Sequence, residues 1–401
     1  MSSPVKPESV KAAQHRPGGE QGQAGEQRLT GEPRWTGAQR PAGEPGGRAA
    51  DSGAGRESIG TRLVRALLTQ RIVLLAILIV VVVVVMMVLD AGGYLTAPYD
   101  PDYMASSLIN AVPLALLGLA ELVVILSGRG GIDLSVGAIV SFAGMIFGFA
   151  YGEWNWPFWA AMILTVAFGG LLGAVNGFLV SYIGFPALIT TLATYYAYKS
   201  LAVVINSQQP ISTVPIQNLY SITRSVELPA IGHDLPNIPL GIFTFLVPAV
   251  VVVWLILART TFGRRLFAIG TNDVAARWSG IAVKDTRLKA YTISGLLSGL
   301  VAVVTVAQFA SARPDAGVSG NGMALPAITI AVLGGVAITG GIGRVSGVVL
   351  ATLLIVWLNA GILIAFVGNE GSQYQLLALG AVLVFAALLN GLTNRRYGGS
   401  R

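Results

Sequence analysis

Cysteine is absent from this chain of 401 residues, which excludes a disulfide framework, a thiolate nucleophile and a cysteine metal site. Histidine is nearly absent: His15 lies in a polar N-terminal stretch and His233 in a polar loop. That leaves no cluster for zinc or a proton relay, and neither a metal nor a cofactor is expected. No Gly-Lys dipeptide occurs, so the chain has no phosphate-cradling G-x-x-x-x-G-K-[ST] loop of its own. Paired carboxylates and an activated nucleophile are also missing, and catalysis is not expected. Charge is scarce as well: 11% of residues carry one, against about 25% in soluble domains, while 54% are apolar. So much apolar sequence exceeds what a soluble core requires and describes an integral membrane protein. The net charge of +7 does not point to nucleic acid, because the basic residues sit at the edges of apolar runs without interleaved aromatics. Membrane orientation accounts for them better.

What is present is a series of ten apolar runs, roughly 72–90, 106–127, 133–151, 157–182, 186–205, 239–258, 288–310, 324–338, 345–366 and 373–391. A spanning helix needs about 20 residues, and nine runs approach that length. The eighth is short and Gly-rich, which suggests a tilted, broken or re-entrant piece. With the N-terminus taken as cytoplasmic, the inner segments hold Arg56, Arg62, Arg65, Arg71, Arg129, Arg259, Arg264, Arg265, Arg277, Lys284, Arg287, Lys289, Arg344, Arg395, Arg396 and Arg401. The outer segments hold only Lys199, Arg224 and Arg313. The expected fold is therefore all-α, a polytopic membrane protein with about ten transmembrane helices and both termini cytoplasmic.

Residues 1–60 are rich in Gly, Pro, Glu, Gln and Arg with almost no large aliphatic residues, the composition of a disordered cytoplasmic tail, and they lack the pattern of a signal peptide. Residues 61–395 form the transmembrane domain. Two loops exceed the rest: a Pro-punctuated extracytoplasmic segment at 206–238 and a cytoplasmic one at 259–287. Gly169, Gly173 and Gly177 recur every four residues, as do Gly144 with Gly148 and Gly295 with Gly299, the spacing that lets helix backbones approach closely in lipid.

Within the runs the polar groups are mostly neutral: Asn110, Asn176, Thr190, Thr191, Thr194, Tyr195, Ser294, Gln308 and Asn359. Each is equally suited to an interhelical hydrogen bond, but as a set they line a lightly polar path better matched to a polyhydroxylated solute than to an ion. Glu121, inside a span, is the exception; it is a pathway residue or a buried neutral carboxyl. In the turn around Gly130 and Gly131, Asp133 and Ser135 read as a buried helix N-cap. In the cytoplasmic loop, Thr271 and Asn272 are caps, Asp273 occupies a first turn, and Gly280 can close a helix in the left-handed conformation. Between Gly270 and Gly280 this predicts a two-turn helix whose small Ala275 and Ala276 admit another protein.

These segments carry a family resemblance. GGIDLSVGAIVSFAGM, NGFLVSYIGFPALITTLATYYAYKSLA, TFGRRLFAIGTNDVAARWSGI and GGVAITGGIGRVSG, in that order within about 72–391, resemble the membrane subunit of ribose-type ABC importers, the permeases for simple sugars. The resemblance implies a bacterial cytoplasmic-membrane protein acting as a pair of permeases, homodimer or heterodimer, with a cytoplasmic ABC ATPase and an extracytoplasmic sugar-binding protein. It further implies that the ATPase docks on Thr271 to Gly280. Where the family has an acidic-Leu-Asp stretch before the Gly-rich turn, this chain has Gly322, Met323, Ala324, Leu325, Pro326 and Ala327. Three alternatives remain open: a permease of the same superfamily for branched-chain amino acids or nucleosides, an ion-coupled secondary carrier using Glu121, and a non-transporting membrane scaffold.

Overall fold

The computed structural model describes residues 70–226, 236–319, 322–366 and 368–397, all within one compact unit, Arg56–Arg401. The 1–60 stretch, His233 and the centre of the 206–238 loop lie outside the described residues. Among these, eight helices are long and apolar enough to cross a membrane. They are α1 (Arg71–Ala91), α2 (Pro101–Leu126), α3 (Val136–Glu153), α4 (Phe158–Ile183), α7 (Ile242–Arg259), α10 (Val283–Phe309), α12 (Val345–Ala365) and α13, whose apolar part is Asn369–Leu389. Two further helices complete the ten apolar runs. The first is α5 (Ala187–Val204), made less apolar by its Thr and Tyr residues and Lys199; the second is the short α11 (Ala324–Leu333). The chain is an all-α polytopic membrane protein. Valine-rich α1 would be a poor helix in water, but lipid offers its backbone no other hydrogen-bond partners.

The bundle is organised around α2 and α10. From Ala111 to Leu126 all of α2 but Leu114 is buried, and α10 packs most extensively along α4. That crossing is made by glycine. A Cβ added to Gly173 would lie 2.3 Å from the carbonyl oxygen of Tyr291, and one on Gly299 would lie 2.8 Å from that of Thr165. The two backbones are in direct contact, as the four-residue spacing predicts. By contrast α1 is peripheral, burying only Leu75 and Met86.

The eighth run resolves as a discontinuous crossing. Ala312 exchanges backbone hydrogen bonds with Ile211 beside Gly148 near the outer end of α3. The chain then descends without regular structure, and the Gly317 N–H donates to Ser141 Oγ (2.9 Å), about two turns further along α3. From there α11, ten residues and about 15 Å long, completes the passage to the opposite face. Half a helix cannot span hydrocarbon, and irregular backbone at this depth is tolerated because protein surrounds it.

The 259–287 loop is almost entirely helical: α8 (Thr261–Thr271) and α9 (Asp273–Trp278) connect α7 to α10. The amphipathic α8 is not evident in the capping signals, and it buries Gly263, Leu266 and Ile269. On the opposite side, α6 (Val214–Asn218) and a minimal antiparallel ribbon of β1 (Ser225–Val226) with β2 (Ile238–Pro239) occupy the described part of the 206–238 loop.

Candidate functional site

The best-formed functional element is α9. Asn272 adopts extended backbone and its Oδ1 accepts from the N–H groups of Val274 (3.1 Å) and Ala275 (3.0 Å), while Gly280 ends the turn at φ +79°. Asp273 is held from two sides. Arg129 Nε lies 2.6 Å from its Oδ2, an ion pair without hydrogen-bond alignment, and Arg287 Nη2 lies 3.8 Å away. Arg287 is buried on α10 and donates to the carbonyl of Ser127 (3.1 Å). What α9 presents outward is Val274 and Trp278, the latter 88% exposed.

One expectation needs correction. Ala276 does not face a partner; it is buried against the chain's own core, and Ala275 alone of the pair is exposed. A helix with one buried stripe must turn one of two adjacent residues inward. Replacing the cap, Asn272→Ala, is expected to loosen this turn by about 1 kcal/mol. Faster tryptic cleavage at exposed Arg277 measures it, with Asn272→Asp as the cap-preserving control.

The base of α9 is seated by glycines from two loops and the last turn of α8. A Cβ on Gly270 would fall 2.0 Å from the Leu126 carbonyl and 2.3 Å from the Gly341 nitrogen, and one on Gly340 would fall 2.4 Å from the Gly128 Cα. The loop after α2, the last turn of α8 and the loop after α11, all assigned by charge to one side of the membrane, thus meet at one point. The Gly-rich sequence before α12 serves this close approach.

Directly above lies a buried polar hub. Asp133 Oδ1 accepts from Ser135 N–H (3.1 Å), Ser135 Oγ (2.6 Å) and, at 3.5 Å, Asn176 Nδ2; its Oδ2 accepts from Ser294 Oγ (3.1 Å). Asn176 also donates to Ser135 Oγ (2.7 Å), and the Asp133 N–H donates to Glu121 Oε2 (3.3 Å). This corrects the N-cap expectation: α3 begins after Ser135 with no side-chain cap, and Asp133 instead ties the start of α3 to α4 and α10. Glu121 Oε1, Asn176 Oδ1 and the Tyr291 hydroxyl are buried without a hydrogen-bond partner among the described residues. Gly130 and Gly131 supply the tight turn; Gly130 is at φ +64°.

The remaining pathway candidates do not converge. Thr190 and Thr194 return their hydroxyls to carbonyls one turn earlier on their own helix or at its cap, those of Pro186 (3.0 Å) and Thr190 (3.1 Å). Gln308 donates to the carbonyl of Ile109 (2.8 Å), next to exposed Asn110 near the outer end, and Asn359 lends only its main-chain carbonyl to Gln375 (3.0 Å). A cavity of about 230 Å³ opens instead where the discontinuous crossing meets α5, lined by Leu134, Leu192, Tyr195, Gly317, Met323 and Leu325 among others. Its position depends on the break before α11, which the short eighth run suggested without placing it against α5. A larger recess of about 650 Å³ between α4, α7 and α10 has almost wholly apolar walls and suits lipid.

A polytopic bundle with a discontinuous crossing and a capped helix braced at one face is the class of membrane-embedded transport subunits. Residues 103–387 match the family described as branched-chain amino acid transport system / permease component, and the chain belongs to that family as a multi-pass protein of the cell membrane. It is similar to the D-allose transport system permease protein of Escherichia coli (strain K12), 35% identical over 280 residues that cover 70% of this chain and 80% of the relative. It is also similar to the autoinducer 2 import system permease protein of Klebsiella pneumoniae, 32% identical over 297 residues, 73% of this chain and 85% of the relative. No solved structure matches the chain.

Proposed function

We propose that this chain is the translocating subunit of an ABC importer for a simple sugar, driven by a separate cytoplasmic ATPase and supplied by an extracytoplasmic sugar-binding protein. The observation that carries the reading is α9, a capped helix with an outward Trp278 and Val274, braced through Asp273 and Gly270 to the loops that lead into α3 and α12 and to α10 itself. Force applied to α9 reaches Arg287 on α10 and, two turns further along, Ser294 and the Asp133 hub. The cavity beside Tyr195 is half of a path that a second permease subunit completes. A sugar is favoured over an amino acid by the names of the relatives, one of which transports D-allose and the other autoinducer 2. The cavity walls also lack any charge to pair with an amino acid's two ionised groups.

The test is uptake into vesicles holding this chain with its genetically neighbouring ATPase and binding protein. ATP-dependent accumulation of a monosaccharide is expected, and Leu325→Trp, which fills the cavity, should reduce it to background. Accumulation of leucine but no sugar would overturn the substrate assignment. The secondary-carrier alternative is favoured by one observation, the unpartnered Oε1 of buried Glu121. Uphill uptake by this chain alone, abolished by a protonophore and by Glu121→Gln, would establish that carrier instead.

A further inference from the structure

Near their cytoplasmic ends α7 and α12 splay around a groove of about 830 Å³. Val250, Trp254, Phe267, Val349 and Leu350 form its apolar walls, and Arg344 and Ser346 stand at its rim. Gly341, three residues before Arg344, abuts Thr271, which places this rim on the same face as α9. Arg259 flanks the other side, its guanidinium 5.6 Å from the Trp254 ring centroid, and Arg264 lies one turn before Phe267 on the same side of α8. Arg259, Arg264 and Arg344 are all exposed, no residue lining the groove is acidic, and Arg344 forms no ion pair among the described residues.

We propose that this groove binds one phospholipid with an anionic headgroup from the cytoplasmic leaflet. An acyl chain lies along Val250, Val349 and Leu350, and the headgroup sits between Arg344 and Arg259. The pairing of apolar walls with a rim of one charge selects this occupant. A soluble phosphate gains nothing from the walls, and a zwitterionic lipid brings its own cation to a cationic rim. A second copy meeting this face about a two-fold axis would set arginines against arginines. The first turn of α12, which begins after Arg344 without a side-chain cap, adds free N–H groups at the same rim.

Native mass spectrometry of the purified full chain, titrated in parallel with phosphatidylglycerol and phosphatidylethanolamine, tests this. The first bound lipid is expected to show about a tenfold preference for phosphatidylglycerol, which is about 1.4 kcal/mol. Arg259→Gln with Arg344→Gln should remove the preference. Val349→Trp, which keeps both charges, should displace the lipid itself and serves if the double variant fails to fold. Equal retention of the two lipids by the unaltered chain, or undiminished preference in a folded double variant, would overturn the proposal. So would a second copy as the occupant. Because the chain has no cysteine, Ser346→Cys reports that outcome cleanly as a disulfide-linked dimer.

Discussion

Asp273→Arg is expected to abolish ATP-driven uptake and copurification of the ATPase while the chain still inserts in the membrane. Asp273 is the anion between Arg129 and Arg287, and its side chain is 14% exposed against 5% for Arg287. The closer partner, Arg129, is 64% exposed, so that pair is worth about 1 kcal/mol or less; leaving the buried Arg287 without its carboxylate costs more, about 3 kcal/mol. A third cation at the same point adds repulsion, so α9 must leave its seat. Uptake in vesicles and pull-down of the ATPase measure the loss, and Asp273→Asn, which removes charge without reversing it, should fall between. Wild-type uptake by the Arg variant would show that α9 is not the point at which force enters.

The second large effect is expected at the α4 and α10 crossing. Gly173→Leu has to place its Cβ where the Tyr291 carbonyl already stands, 2.3 Å away, and Gly295 Cα lies 2.9 Å from the same point. Overpacking costs about 1–3 kcal/mol when side chains can yield; here the obstacle is main chain on the facing helix, so the cost sits at or above that range. Separating the helices also pulls at the hub, because Asn176 follows Gly173 by one turn and Ser294 precedes Gly295. The expected result is a fall in melting temperature in detergent of about 5 °C or more, with Gly173→Ala showing a smaller fall. An unchanged transition would mean that the helices have slack the backbone distances deny.

Several elements follow from local chemistry and were legible as such. Nine of the ten runs are long helices because a segment of about 20 apolar residues in lipid can satisfy its backbone only as a helix, and the eighth, too short for that, is a ten-residue half-helix. The end of α9 was readable from Gly280, and its start from Asn272, because capping depends on residues within one turn. The four-residue glycine rows announced the α4 and α10 contact, although not which helix would be the partner. Other features were not legible. Ala276 and Ala275 are identical side chains one residue apart, and only the docking of α9 on the core decides which is buried. Asp133 in GRGGIDLSVG has the local look of an N-cap; Ser294, 161 residues further on, makes it a hub.

Composition alone determined that this chain lives in a membrane, since 54% apolar against 11% charged residues is a matter of residue type and count. Only the tertiary structure decided where the cavity beside Tyr195, the brace on Asp273 and the arginine-rimmed groove lie. Those depend on contacts between residues far apart in the chain, such as Gly128 with Gly340 and Asp273 with Arg129, and the distance between such pairs is set by how the helices pack. In lipid that packing turns on small residues and buried polar bonds whose partners no local pattern names.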